Sequence, residues 1–215
     1  MDGPAGAGKS TLARIVANRL GYLYIDTGAM YRALALKALR LGISETDAEA
    51  LAALAETTDV QLRRAPDGGN RVLLDGEDVT AEIRTPAVSA IVSQVSAVPR
   101  LRQRLIEAQR ALARSGGVVM DGRDIGSYVL PDADRKFYVT ASLQERARRR
   151  LAQLRAEGHP AELADVEAEI ARRDEQDMNK GVHSLMQLPE SIVIDTTGKR
   201  VDEVVEEILA HCRRV

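Results

Sequence analysis

The apolar positions of this chain switch between two spacings, and the switches map its elements. Residues 10–20 (STLARIVANRL) place Leu12, Ile15, Val16 and Leu20 at helical intervals, and Gly21 follows where a helix end favours glycine. Residues 22–26 (YLYID) are aromatic and β-branched and predict a short buried strand. A turn at Thr27-Gly28 leads to a helix over 30–41, closed by Gly42, and then to a shorter helix over 46–56. The texture changes at Asp59. Segments 60–64, 71–75 and 78–80 alternate polar and apolar residues around turns at Pro66-Asp67-Gly68-Gly69 and Asp75-Gly76, the pattern of a small antiparallel meander. Helical spacing returns over 86–97 and 99–114, divided by Pro99. Three further buried strands are predicted at 117–121 (GVVMD), 136–140 (KFYVT) and 191–195 (SIVID). A charged helix over 142–157, a break at Gly158-His159-Pro160 and a helix over 163–177 separate the last two, and a helix over 201–213 ends the chain.

Strands alternating with helices predict an α/β fold with a central parallel sheet covered on both faces, into which the meander is inserted. Composition narrows this picture. At 215 residues, 45% hydrophobic and 29% charged, the chain has the profile of one globular domain with insertions. Its 30 basic and 32 acidic residues leave a net charge of −2, and only five Tyr and one Phe are aromatic. Neither a basic stripe nor a stacking platform is available, which argues against nucleic acid as a partner. No apolar run approaches the roughly 20 residues that span a bilayer, so no membrane role is expected. The single cysteine, Cys212, excludes an internal disulfide and suits a reducing, cytoplasmic compartment; at the end of an apolar-periodic helix it reads as a small buried hydrophobe.

The first candidate site lies at the start. Gly3-x-x-x-x-Gly8-Lys9-Ser10 (GPAGAGKS) matches the phosphate-binding loop pattern in full. Its glycines let successive N–H groups converge on phosphate oxygens, and the N-terminus of the following helix adds partial positive charge there. The residues implied in holding ATP are Gly3, Pro4, Ala5, Gly6, Ala7, Gly8, Lys9, Ser10 and Thr11, with Lys9 on the β- and γ-phosphates and the Ser10 hydroxyl on Mg²⁺. A chance glycine-rich turn is the bland alternative, and the helix and acid-ended strands that follow weigh against it. Such a loop normally hangs from a strand of about five residues, and here only Met1-Asp2 precede it. The first strand is therefore expected to be truncated, as it would be if the start lay several residues downstream of the natural one.

The loop names a phosphate donor and leaves the acceptor open. Residues 26–32 (DTGAMYR) set a hydroxyl, an aromatic ring and an arginine just past a strand end, where open α/β sheets bind ligands, and Gly122-Arg123-Asp124 does so after the 117–121 strand. Arg32 and Arg123 can hold a phosphate in bidentate fashion, the alternative being ordinary surface arginines. Asp121 ends a strand and is a candidate to hold Mg²⁺ through water, with a structural role equally open. In the run 145–150 (ERARRR), Arg146 and Arg150 share a helix face and are candidates to fold over the transferred phosphate, the alternative being a solvated face. These residues alone leave open a P-loop kinase with any small acceptor, or a nucleotide-driven switch.

The segments DGPAGAGKST (2–11), DTGAMYRALAL (26–36), LLDGEDVTAEIRTPAVS (73–89), SQVSAVPRLR (93–102), DGRDIGSYVLPDA (121–133) and RRDEQDMN (172–179) go further. Together they resemble the bacterial cytidylate kinase family of the nucleoside monophosphate kinase superfamily. The resemblance implies a P-loop kinase with a helical lid: core 1–32, acceptor-binding insert 33–98, core 99–145, lid 146–177 and core 178–215. It implies transfer of a phosphoryl group from ATP to CMP or dCMP, with Mg²⁺, by a monomer. By the same resemblance, Arg32 and Arg123 grip the CMP phosphate near Thr27 and Tyr31. Ser93, Arg102 and Asp124 read the cytosine edge, and Arg173 and Asp177 position the sugar. Two positions depart from the family pattern: Lys180 stands where arginine is usual, losing the planar fork, and Thr27 stands where serine is common.

Overall fold

The structure, a computed structural model, describes residues 1–66, 68–156, 158–179 and 181–213. The turn position Asp67, the predicted helix end at Glu157 and the departure at Lys180 lie outside the described residues. The chain divides into two compact units, Met1–Val16 with Gly122–Val215, and Ala17–Asp121.

In the unit Ala17–Asp121, β1 (Leu23–Asp26) runs parallel to β5 (Val118–Asp121), in register from Leu23 opposite Val118 to Asp26 opposite Asp121. Helix α2 (Thr27–Arg40) begins three residues before the predicted start. The reason is Asp26, whose extended backbone and carboxylate, accepting from Ala29 N at 2.9 Å, make it the N-cap. Thr27-Gly28 is consequently the first turn of the helix and not a separate turn. Helix α3 (Ala48–Glu56) is capped in the same way by Asp47. The meander follows as β2 (Val60–Arg64), β3 (Asn70–Leu74) and β4 (Glu77–Asp78), all antiparallel. Asp75 and Gly76 join β3 to β4 with φ of 50° and 88°, the two left-handed residues of a tight hairpin turn, which an Asp-Gly pair accommodates at low cost.

Helices α4 (Pro86–Val95) and α5 (Pro99–Ala113) each start on a proline, where the missing N–H costs nothing. An aliphatic core built from α2, α3, α4, α5 and the inner face of the meander includes Leu34, Leu51, Ile83, Val88, Val95 and Leu101, all buried. Truncating one such leucine costs about 2–5 kcal/mol, so this cluster accounts for the unit's cohesion. The meander is also tied to β1 by one side chain. Asn70 accepts from Asp26 N at 3.0 Å and donates to Tyr24 O at 2.9 Å, pairing with the edge of β1 as a neighbouring strand would.

In the other unit, β6 (Phe137–Thr140) runs parallel to β7 (Ile192–Asp195). The residues before the phosphate loop contribute bridges rather than a strand: Asp2 pairs in parallel with both Gly122 and Tyr138. Even so, the neighbouring backbone is served. Asp2 N donates to Phe137 O at 2.8 Å, Val139 N to Asp2 O at 2.8 Å and Gly122 N to Met1 O at 3.0 Å. The buried Asp2 carboxylate accepts from Ile125 N and Gly126 N, both at 2.8 Å. It thereby caps a short π-helical turn, Ile125–Val129, that the sequence pattern did not predict. Helices α6 (Leu143–Ala156) and α7 (Leu163–Met178) pack through Ala147, Leu154, Val166 and Ile170. Helix α8 (Val201–Cys212) closes the chain. Cys212 is half-buried there rather than buried, a correction that follows from its place at the helix end; partial burial pushes its thiol pKa up. Helix α1 (Lys9–Leu20) starts in this unit and ends in the other. Among the described residues, no helix is long and apolar enough to cross a membrane.

Candidate active site

The phosphate loop owes its shape to glycine at two positions. Gly3 has a φ of 149°, and a Cβ there would sit 1.9 Å from Val139 O. Gly6 has a φ of 76°, and its Cβ would press on Arg146 at 3.0 Å from Cβ and 3.2 Å from O. Side chains are excluded at both, so backbone alone lines the turn. Lys9 is buried and its ammonium donates to Pro4 O at 2.7 Å, reaching back across the loop. Ser10 and Thr11 are exposed in the first turn of α1, which carries no acidic residue. That helix end therefore presents N–H groups and partial positive charge suited to an anion.

The other groups that fix the loop come from far along the chain, and sequence reasoning missed most of them. Arg146 Nη1 donates to Ala5 O at 3.0 Å and to Asp174 at 2.5 Å, while its Nε donates to Ala141 O at 3.0 Å. Asp174 in turn accepts from Ala5 N at 3.4 Å. Both polar backbone groups of Ala5 are thus held by one buried ion pair that joins α6 to α7. Thr196 donates to Ala7 O at 3.2 Å, and Arg149 donates to Thr196 Oγ1 at 2.9 Å and Thr196 O at 2.7 Å. Asp174 lies inside the quoted RRDEQDMN segment, but only its partners mark it as a holder of the loop. Arg146 and Arg150, four residues apart, differ in surroundings: Arg146 is buried in this network, whereas Arg150 is partly exposed and its charge acts on Arg173.

Four of the residues implied in acceptor binding belong to the same unit. Arg123 Nε pairs with Asp177 Oδ2 at 2.6 Å, and its Nη1 donates to Gly122 O at 3.3 Å. Arg173 Nε is buried with no hydrogen-bond partner among the described residues. Its guanidinium is pushed down to about 10 by desolvation first and by the positive charge of Arg123 second, against the pull of Asp177 and Glu169. Asp124 is buried and lies 3.0 Å from His183 Nδ1, a histidine that no motif pointed to. The remaining implied residues belong to the unit Ala17–Asp121. Thr27 Oγ1 donates to Asp121 O at 2.7 Å, and Asp121 Oδ1 accepts from Tyr24 OH at 2.9 Å. Arg32 Nη1 donates to Ser89 Oγ at 2.9 Å and Ile83 O at 3.2 Å. The guanidinium of buried Arg102 stacks 5.3 Å from the centroid of the Tyr31 ring and donates to Ser96 O at 3.2 Å. Ser93 Oγ is buried with no partner among the described residues.

A glycine loop feeding a helix, on parallel strands flanked by helices, defines a P-loop phosphotransferase. Comparison with known proteins gives the family. A cytidylate kinase family model matches residues 1–214. A cytidylate kinase of Symbiobacterium thermophilum is 89% identical over 214 residues, covering 100% of this chain and 95% of that protein. Cytidylate kinases of Desulfitobacterium hafniense and Pelotomaculum thermopropionicum are 50% and 52% identical, covering 98% of this chain and 90% and 93% of theirs. The chain belongs to the cytidylate kinase family, and it is a kinase that phosphorylates a nucleoside monophosphate. A crystal structure of an uncharacterized protein from Eubacterium ventriosum shares the fold alone, with a TM-score of 0.53 at 10% identity over 98% of this chain and 94% of that one.

Proposed function

We propose that this enzyme transfers the γ-phosphoryl group of ATP to CMP and dCMP, yielding CDP and dCDP. The observation that carries the reading is the state of Arg173: a desolvated guanidinium beside Arg123, with a buried Nε that no described residue accepts. Burying such a group is costly unless a ligand pairs with it. A nucleoside monophosphate supplies both needs, a phosphate for Arg123 and Arg32 and sugar oxygens for Arg173 and Asp177. Ser93, Arg102 and Asp124 are assigned to the cytosine edge, with Thr27 and Tyr31 beside the acceptor.

A CMP phosphate oxygen attacks the γ-phosphorus in line, one P–O bond forms, the bond to the bridging oxygen breaks, and ADP leaves. No general base is required, because the attacking oxygen is ionised at neutral pH. Lys9 and the α1 N-terminus neutralise charge on the donor phosphates, and Arg150 and Arg123 neutralise charge on the transferred group. Arg146 is assigned to the loop it holds. Mg²⁺, when bound, would supply further neutralisation of phosphate charge. The residues fit it: Mg²⁺ keeps most of its waters and takes one or two protein ligands, so the absence of a cluster of three His, Cys, Asp or Glu among the described residues is no obstacle. Ser10 is its assigned ligand, with Asp121 acting through water. A monomer in the cytoplasm completes the proposal.

The test is ATP consumption with CMP, dCMP, UMP, AMP and shikimate as separate acceptors. Strong turnover with CMP and dCMP is expected; turnover with AMP and none with CMP would overturn the assignment.

A further inference from the structure

Asp124 is buried while its neighbour His183 is partly exposed, and the two meet at 3.0 Å, Nδ1 to Oδ2. A carboxylate oxygen accepts hydrogen bonds, so the proton of this contact sits on Nδ1 and His183 donates. The imidazole is itself braced: the Tyr128 ring meets it edge-on, with centroids 4.2 Å apart and planes at 72°. Tyr128 N donates to Asp124 O at 2.9 Å, which closes a ring of contacts from Asp124 through His183 and Tyr128 back to Asp124. The segment carrying His183 is anchored to the end of α7, since Leu185 N donates to Asp177 O at 2.8 Å.

We propose that His183 is the positioning residue of Asp124 and so sets selectivity for the acceptor base; this rests on the reading of Asp124 as a group that meets the cytosine edge. A carboxylate rotates readily about its last torsion, which is broad and two-fold. The His183 donor on Oδ2 restrains that plane and with it the direction of Oδ1. Cytosine offers an amino donor at the position where uracil has a carbonyl acceptor. A fixed carboxylate accepts from the first and repels the second, whereas one that can swing aside discriminates less. His183 thus acts by narrowing the orientations open to Asp124, without touching the base.

The experiment compares kcat and KM for CMP, UMP and ATP in the wild type, His183→Ala, His183→Asn and Asp124→Ala, each checked for thermal midpoint. His183→Ala is expected to raise KM for CMP about tenfold, the loss typical of one hydrogen bond to a charged group. It should narrow the CMP-to-UMP ratio of kcat/KM and leave KM for ATP unchanged. His183→Asn places an amide donor near the Nδ1 position and should recover most of the loss; should His183→Ala fold poorly, this variant alone decides. Unchanged CMP kinetics in His183→Ala alongside a raised CMP KM in Asp124→Ala would overturn the positioning role only. An equal rise in both KM values, or no rescue by asparagine, would show a merely structural part and overturn it too. An unchanged CMP KM in Asp124→Ala would instead remove the base-reading assignment beneath it.

Discussion

The phosphate loop and two of the residues proposed to meet the acceptor, Ser93 and Arg173, meet their polar needs in opposite ways. In the loop, Ala5 is held on both backbone groups by Arg146 and Asp174, Ala7 O by Thr196, and the Lys9 ammonium by Pro4 O. By contrast, Ser93 Oγ and Arg173 Nε are buried without a partner among the described residues. The loop is built by the protein ahead of its ligand, so its geometry is paid for in folding. Under the proposed function a ligand would complete the two desolvated atoms, which would make Ser93 and Arg173 sources of selectivity.

This contrast can be broken at three depths. Lys9→Met should have the largest effect, lowering kcat by about a thousandfold or more through loss of charge on the transferred phosphate, with the fold intact by circular dichroism. An active Lys9→Met enzyme would refute the assigned role. Asp174→Ala leaves Arg146 buried and unpaired, for which a loss of about 3–5 kcal/mol is expected. Thermal unfolding should show it as a clear fall in midpoint, and KM for ATP should rise as Ala5 N loses its acceptor and Arg146, which holds Ala5 O, loses its ion-pair partner. Unchanged stability and an unchanged KM for ATP would mean that the Arg146–Asp174 pair does not hold the loop. Ser93→Ala removes a hydroxyl that no described residue uses, so stability should hold while KM for CMP rises about tenfold. A loss of stability without a change in KM would place Ser93 with the loop's type of residue.

What the sequence disclosed follows the same division. The loop, the Asp75-Gly76 hairpin, the two prolines that start α4 and α5, and the strands ending in acids were legible because each depends on a few adjacent residues with strong local preferences. The start of α2 was misjudged because an extended Asp26 capping Ala29 N looks, in sequence, like a strand end followed by a turn. The π-helical turn at Ile125–Val129 escaped notice because its cap, Asp2, lies more than a hundred residues away. Distance hid the loop's holders in the same way: Asp174 and Thr196 have no local signature, and Arg146 and Arg150 look equivalent until burial separates them. His183 had no signal at all, since a lone histidine in a loop predicts nothing until its partner is seen.

The most direct measurement is a calorimetric titration of the wild-type chain with CMP and, side by side, with AMP. If Ser93 and Arg173 meet a cytosine nucleotide as proposed, CMP should bind saturably at one site per chain, more weakly in Ser93→Ala, and AMP far more weakly. Equal binding of the two, or binding of AMP alone, would contradict the account.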